Sequence, residues 1–404
     1  MITDRKQVNR LALLFTVMYM ISYITRINYG AVIAEMVLDT GYTKTMLSMA
    51  LTGSFITYGA GQVVSGICGD FFSPKKLLSL GLGASVLMNL LIPFCKSPWL
   101  MLIVWCVNGF AQAFMWPPLV RLMTALFSEE DYKKVSVKVS LGSSIGTIIV
   151  YLVSPFFISL IGWRFVFFFS AFCGITMLTI WQFFATDVPR ENVKKKETTL
   201  TKDTVKEKKS ILFFLLMGGI MLSIMMQGLL RDGVTTWMPS YISETYDLGS
   251  SISILTGVVL PVFGILCFEL CSFIYRKKLK NPMVCAGLFF GIGFLSSGAL
   301  LFVSGSSALF SVLLSAMLTG CMHGVNLILI CMIPPFFKGK GKVSTVSGVL
   351  NSCTYVGSAL STYGVALLSD RFGWSFTLSV WAGVALLGTT ICLACAIPFS
   401  KKFM

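Results

Sequence analysis

Ionisable side chains are scarce in this 404-residue chain: Asp, Glu, Lys and Arg make up 12% of it, with 17 acids and one histidine. A soluble domain carries about 25%, so a string of soluble domains is excluded. The 55% hydrophobic content excludes disorder. So few acids and one His leave little for hydrolytic or metal chemistry. No nucleophile–base pair, metal-ligand spacing or phosphate-cradling glycine loop stands out. The chain therefore reads as no enzyme, with no cofactor and no metal site. Its twelve cysteines lie in or beside apolar runs without ligand-type pairing, and "CLAC" (Cys392, Cys395) sits among Leu, Ala and Ile. A disulfide scaffold is excluded. The apolar runs are continuous rather than alternating, which excludes a β-barrel.

What is present is a series of runs long enough to cross a bilayer as helices, about 20 residues each. Twelve are expected: 10–36, 44–70, 76–96, 99–127, 134–160, 162–186, 210–241, 250–275, 281–303, 306–336, 343–369 and 374–398. The opening "MITDRKQVNR" shows no cleavage site, so the first run reads as a retained helix. Basic residues alternate sides. Of 32 Lys and Arg, 25 fall in the tails and in the loops that an even number of spans places on the N-terminal side. Four fall on the opposite side and three inside the membrane. This bias predicts an N-in, C-in topology. It also makes the net charge of +15 a topology and anionic-lipid signal rather than a nucleic-acid one.

The halves repeat. "KVSV" at Lys134 and "KVST" at Lys342 are 208 apart, and "GWRF" at Gly162 and "GWSF" at Gly373 are 211 apart. "NGFAQ" (Asn108–Gln112) and "TGCMH" (Thr319–His323) are also 211 apart, and Arg26 and Arg231 are 205 apart. Six spans per half make this a parallel repeat. The expected organisation is an all-α membrane protein of two pseudo-symmetric six-helix bundles, 1–186 and 210–404. A basic cytoplasmic linker, 187–209, joins them.

An ionisable group at bilayer depth costs several kcal/mol, so each needs a reason. They are Arg26, Arg121, Arg231, Asp232, Glu269 and His323. Arg26 and Arg231 sit on repeat-equivalent spans one and seven. Neither has an acid on its own helix face, since Asp232 is about 100° round the helix from Arg231. Two guanidinium groups facing one cavity call for an anion, and a phosphate best suits the planar fork. The competing reading pairs each Arg with Glu269 or Asp232. Tyr19, Tyr23 and Arg26 share a face, as do Gln227 with Arg231, Tyr58 with Gln62, and Asn351 with Tyr355. Together they outline a hydroxyl- and amide-lined site. Gln112 and His323 are repeat-equivalent. His323 is a candidate proton acceptor or hydrogen-bond donor, and Asp232 a candidate proton carrier. Arg121, after "MWPP", and Glu269, near the basic end of span eight, read as gate residues, Glu269 through an ion pair. Asp70 in "GICGDFFSPKK" reads as an acid that caps a helix or pairs with a base to hold the inner gate.

At "YITRINYGAVIAEM", "TYGAGQVVSGICGD", "GFAQAFMWPPLVRLM" and "LLRDGVTTWMPSYI" the chain resembles the major facilitator superfamily, and within it the organophosphate:phosphate antiporters. The resemblance implies exchange of a phosphorylated metabolite for inorganic phosphate by alternating access. Arg26 and Arg231 would grip the phosphate, with Tyr19 and Tyr23 lining the same face. Four positions depart from that pattern: Gln62 and Ile27 where a Lys is common, Gly142 where a His occurs in one branch, and Asp232 after the second Arg. The site is correspondingly less cationic. The rival readings are a proton-coupled carrier of another organic anion, using Asp232, Glu269 or His323, and a transporter-like sensor. The implied partners are a small phosphate-bearing anion, inorganic phosphate and membrane lipid, with no nucleic acid. The chain reads as a monomer in a bacterial plasma membrane.

Overall fold

Turn chemistry punctuates the helices. In the computed structural model, which describes residues 2, 4–42, 44–188, 211–247 and 259–404, every regular element among the described residues is helical. Asp4 caps α1 (Arg5–Thr40), whose far end closes on Gly41 at φ 70. α2 covers Lys44–Phe71. Ser73 caps α3 (Pro74–Leu91), and Ser97 caps α4 (Pro98–Gln112). Proline stands at the first helical position of both, where its missing N–H costs nothing. Ser128 caps α6 (Glu129–Leu160), whose first turn holds Glu129, Glu130 and Asp131 against the positive end of the dipole. Gly162, at φ 108, makes the tight turn into α7 (Arg164–Phe184). The later helices are α8 (Ile211–Tyr246), α9 (Val259–Lys277), α10 (Pro282–Val303), α11 (Ala308–Asn326) and α12 (Val343–Phe403).

Ten of the described helical stretches are long and apolar enough to cross a membrane. α2 and the first arm of α12, rich in Gly, Ser and Thr, are helical at the other two expected positions. Span four is broken: α4 gives way to α5 (Pro117–Leu126) because Pro117 and Pro118 have no N–H for the preceding turn. Span ten is likewise irregular, passing from α11 through a π-turn at Leu327–Cys331 to a 3₁₀ stretch at Pro334–Lys340. Spans eleven and twelve join without a loop, and only Gly373 (φ 78, ψ 174) turns the chain inside α12. The linker, apart from its first two residues, and the start of span eight lie outside the described residues.

The chain forms two compact units. The first holds the described residues of Met1–Val193 with Phe337–Ser352, and the second those of Lys194–Phe336 with Cys353–Met404. In the first, α1 packs along α6 and α2 along α4. Tyr29, Trp105, Trp163 and Phe167 anchor a buried cluster between them. In the second, α9, α10 and α8 all pack on α11.

Candidate substrate site

In the first unit, the guanidinium of Arg26 lies over the rings of Tyr23 (4.1 Å to the centroid) and Tyr58 (4.8 Å). Tyr23 stacks edge-on with Tyr19, which leans on Trp116. The expected face of α1 thus exists as an aromatic cradle. Such contacts hold a cation at about 0.5–2 kcal/mol each while leaving its in-plane N–H groups directed elsewhere.

Behind Arg26 is a polar network that none of the sequence motifs announces. Asn28 donates to Asn89 (2.7 Å) and Ser170 (2.9 Å). Asn89 donates to the carbonyls of Thr25 (2.8 Å) and Ser85 (2.9 Å). Asn108 donates to the Thr25 carbonyl (3.2 Å) and accepts from the Ser85 hydroxyl (2.6 Å). Gln112 belongs to this network: its Nε2 donates to the Thr25 hydroxyl (2.8 Å) and to Ser85 (2.7 Å), and the residue is buried. Its amide is spent on holding α1 one residue before Arg26. The signal in the sequence was asparagine inside apolar runs.

Gln62 is buried, and neither of its amide atoms has a hydrogen-bond partner among the described residues. Asn351 is buried as well. At Gly142, a Cβ would stand 2.7 Å from the Thr16 carbonyl, so α1 and α6 approach too closely for a larger residue there.

In the second unit, Arg231 pairs with Asp232, as the competing reading had it for this arginine. Nε donates to Asp232 Oδ1 (2.6 Å) and Nη2 to Oδ2 (2.9 Å), a bidentate pair between sequence neighbours. The 100° offset describes Cβ directions, and arginine's long arm spans it. Nη1 lies 3.5 Å from Asn326 Oδ1, and the Ser358 hydroxyl donates to Asp232 Oδ2. Glycine sets this arrangement: a Cβ on Gly357 would collide with the Met225 carbonyl, and one on Gly228 with that of Thr354. The first arm of α12 is thereby pressed on α8, carrying Ser358 to Asp232. His323, half-buried on α11, stacks against Phe268 at 5.5 Å. Gln227 is buried, its two amide atoms have no hydrogen-bond partner among the described residues, and Tyr355 is half-buried.

Of the gate candidates, Asp70 accepts the backbone N–H groups of Ser344 and Thr345, both at 2.8 Å. It caps the start of α12, where the helix dipole favours an anion. Arg121 donates to the carbonyls of Gly69 and Phe72 (3.0 Å for the latter), and Lys338 to that of Thr124 (2.8 Å). Glu269 is exposed and belongs to no ion pair among the described residues. Arg276, toward the end of α9, turns its Nε to the Ser272 carbonyl instead (3.3 Å).

Residues 15–362 match the Major Facilitator Superfamily, and the chain belongs to that family. It is 25% identical to the "Glycerol-3-phosphate transporter" of Bacillus subtilis (strain 168), over 87% of this chain and 84% of the relative. It is 23% identical to the "Probable hexose phosphate transport protein" of Chlamydia trachomatis serovar D, over 88% and 84%. A shorter stretch, 32% of this chain and 31% of the relative, is 31% identical to the "Membrane sensor protein UhpC" of Salmonella typhimurium. These relatives fit the organophosphate:phosphate antiporters. A solved structure of the proton:xylose symporter XylE bound to 6-bromo-6-deoxy-D-glucose shares the fold at TM-score 0.72 and 13% identity, covering 100% of this chain and 97% of that one. Together with the ten apolar helices, this makes the chain a multi-pass membrane protein of the inner-membrane transporter type.

Proposed function

We propose that the protein is a secondary transporter of a phosphorylated organic metabolite, of the glycerol-phosphate or sugar-phosphate class, working by exchange for inorganic phosphate. The observation that carries this reading is the pair of membrane-embedded arginines, one on each of two repeat-equivalent spans, each held by local polar or aromatic partners. The names of the relatives that align along most of the chain support it.

In this mechanism Arg26 and Arg231 bind the phosphoryl group by planar, charge-assisted hydrogen bonds. Tyr19, Tyr23 and Tyr58 line the Arg26 side. The unpartnered amides of Gln62 and Gln227 serve the organic moiety, since a buried amide without a partner costs about 1–3 kcal/mol and gains from a ligand hydroxyl. Asn351, Tyr355 and His323 complete the lining. Alternating access follows from rocking of the two six-helix halves, with N- and C-termini cytoplasmic. Asp70 on the start of α12 and Arg121 on the end of α2 form the inner latch, and Glu269 moves with it. The anion lowers the barrier only if it binds the closed transition state better than the open ones. The unit of function is a monomer in a bacterial plasma membrane.

The second reading, a proton-coupled carrier of another organic anion, is favoured by the Arg231–Asp232 pair and its neighbour His323. It predicts steep pH dependence without dependence on a counter-anion. Arg231→Lys tests the arginine grip: transport falls at least tenfold while membrane insertion stays intact, because an ammonium cannot make the planar bidentate contact. Wild-type rates in that variant contradict it.

A further inference from the structure

Asp232 holds an edge of Arg231 that can bind an anionic substrate. Nε and Nη2 form one of the two edges of the guanidinium that receive two oxygens in parallel, and both Asp232 oxygens are on it, at 2.6 and 2.9 Å. The carboxylate is also held by the Ser358 hydroxyl, which donates to the same Oδ2 that Nη2 meets. Ser358 is delivered by the glycine-mediated contact of α12 with α8, so the geometry is built by the fold and not by a loose side chain. The remaining arginine nitrogen faces Asn326 at 3.5 Å, a long and weak contact. The charged and titratable groups around the carboxylate are Arg231 on its own helix and His323 from α11. α12 contributes only the neutral Ser358.

We infer that Asp232 is a tethered counter-anion: it occupies Arg231 in the empty site, competes with the substrate anion for the guanidinium, and lets the empty carrier reset. The consequence for transport rests on the phosphate-exchange reading above. An arginine whose charge is not neutralised at bilayer depth raises the barrier to returning empty, which enforces strict exchange. With Asp232 on Arg231, the empty site carries one net positive charge fewer. The barrier to returning empty falls accordingly, and exchange becomes preferred rather than obligatory. Substrate entry is then a swap of one anion for another at Nε and Nη2. The displaced carboxylate keeps Ser358 as a partner.

The test compares wild type, Asp232→Asn and Asp232→Glu as purified full-length protein. Asp232→Ser serves as the neutral variant if the Asn form does not insert. Equilibrium binding of inorganic phosphate is measured first, followed by uptake of labelled phosphate into vesicles with and without internal phosphate, with a potassium ionophore compensating charge. Asp232→Asn is expected to bind phosphate about tenfold more tightly, since a built-in competitor is gone. Its uptake into empty vesicles should fall at least tenfold relative to loaded ones, while wild type and Asp232→Glu accumulate phosphate in both. Unchanged or weaker binding in Asp232→Asn, with exchange intact, overturns the tethered anion and leaves the exchanger standing. Tighter binding without exchange in any of the proteins supports the tethered anion and overturns the exchanger. Phosphate binding by none of them removes both.

Discussion

At the C-terminal end of α1, Asp39 takes two donors on one oxygen, the Trp163 indole N–H at 2.9 Å and Arg164 at 2.8 Å. The Trp163 hydrogen bond, with Arg164 second, holds its carboxyl below the usual carboxylate range. A carboxyl depressed in the folded state contributes stability above its unfolded pKa of about 3.9 and loses it as pH falls through the folded value. Asp39→Asn should therefore lower the melting temperature at pH 7, and the gap to wild type should narrow as pH drops below about 4. A gap that does not depend on pH contradicts this. Single residues were also where the sequence was least complete. Arg26 and Arg231 stood out because a charge at bilayer depth needs a reason. The Arg231–Asp232 pair stood only as the competing reading, because helical spacing gives the direction of a Cβ and not the reach of a long side chain. Gln112 was visible as a polar residue on an apolar helix. That its partners are Thr25 and Ser85, on two other helices, follows only from packing.

At the scale of elements, small residues decide where helices touch. The contacts of Gly357 with Met225 and of Gly228 with Thr354 bring backbones together, which favours association in lipid through packing rather than burial. Gly357→Val should therefore abolish folded, detergent-extractable protein, or lower its melting temperature, because a side chain at 357 collides with the Met225 carbonyl and parts α12 from α8. Normal yield and a normal melting temperature in that variant contradict the packing account. In the first unit, Gly66 and Gly348 bring α2 against the start of α12 in the same way. The hydroxyls of Ser65, Ser344 and Ser347 lie buried there with no hydrogen-bond partner among the described residues. A seam with unsatisfied hydroxyls, held by the Asp70 cap, is costly to keep closed and gains hydration on opening, which suits the inner latch proposed above. Periodicity located these helices. It gave no view of the breaks at Pro117–Pro118 and after Asn326 as changes of helix type, because hydrophobicity runs on through both.

For the whole molecule, continuous apolar runs and the 205–211-residue offsets carried the all-helical two-part architecture. The two-part division of packing does not follow the sequence midpoint, since Phe337–Ser352 groups with the first unit. No pattern of hydrophobicity could report that, because it depends on backbone approach at Gly66 and Gly348. The central claim concerns transport, and one measurement reaches it directly: uptake of labelled phosphate into proteoliposomes loaded with phosphate, with glycerol 3-phosphate or with a hexose phosphate. The account predicts that internal phosphate accelerates uptake and that at least one external phosphate ester competes with it. Uptake that is indifferent to internal anions and to phosphate esters, but rises with an imposed proton gradient, would contradict it.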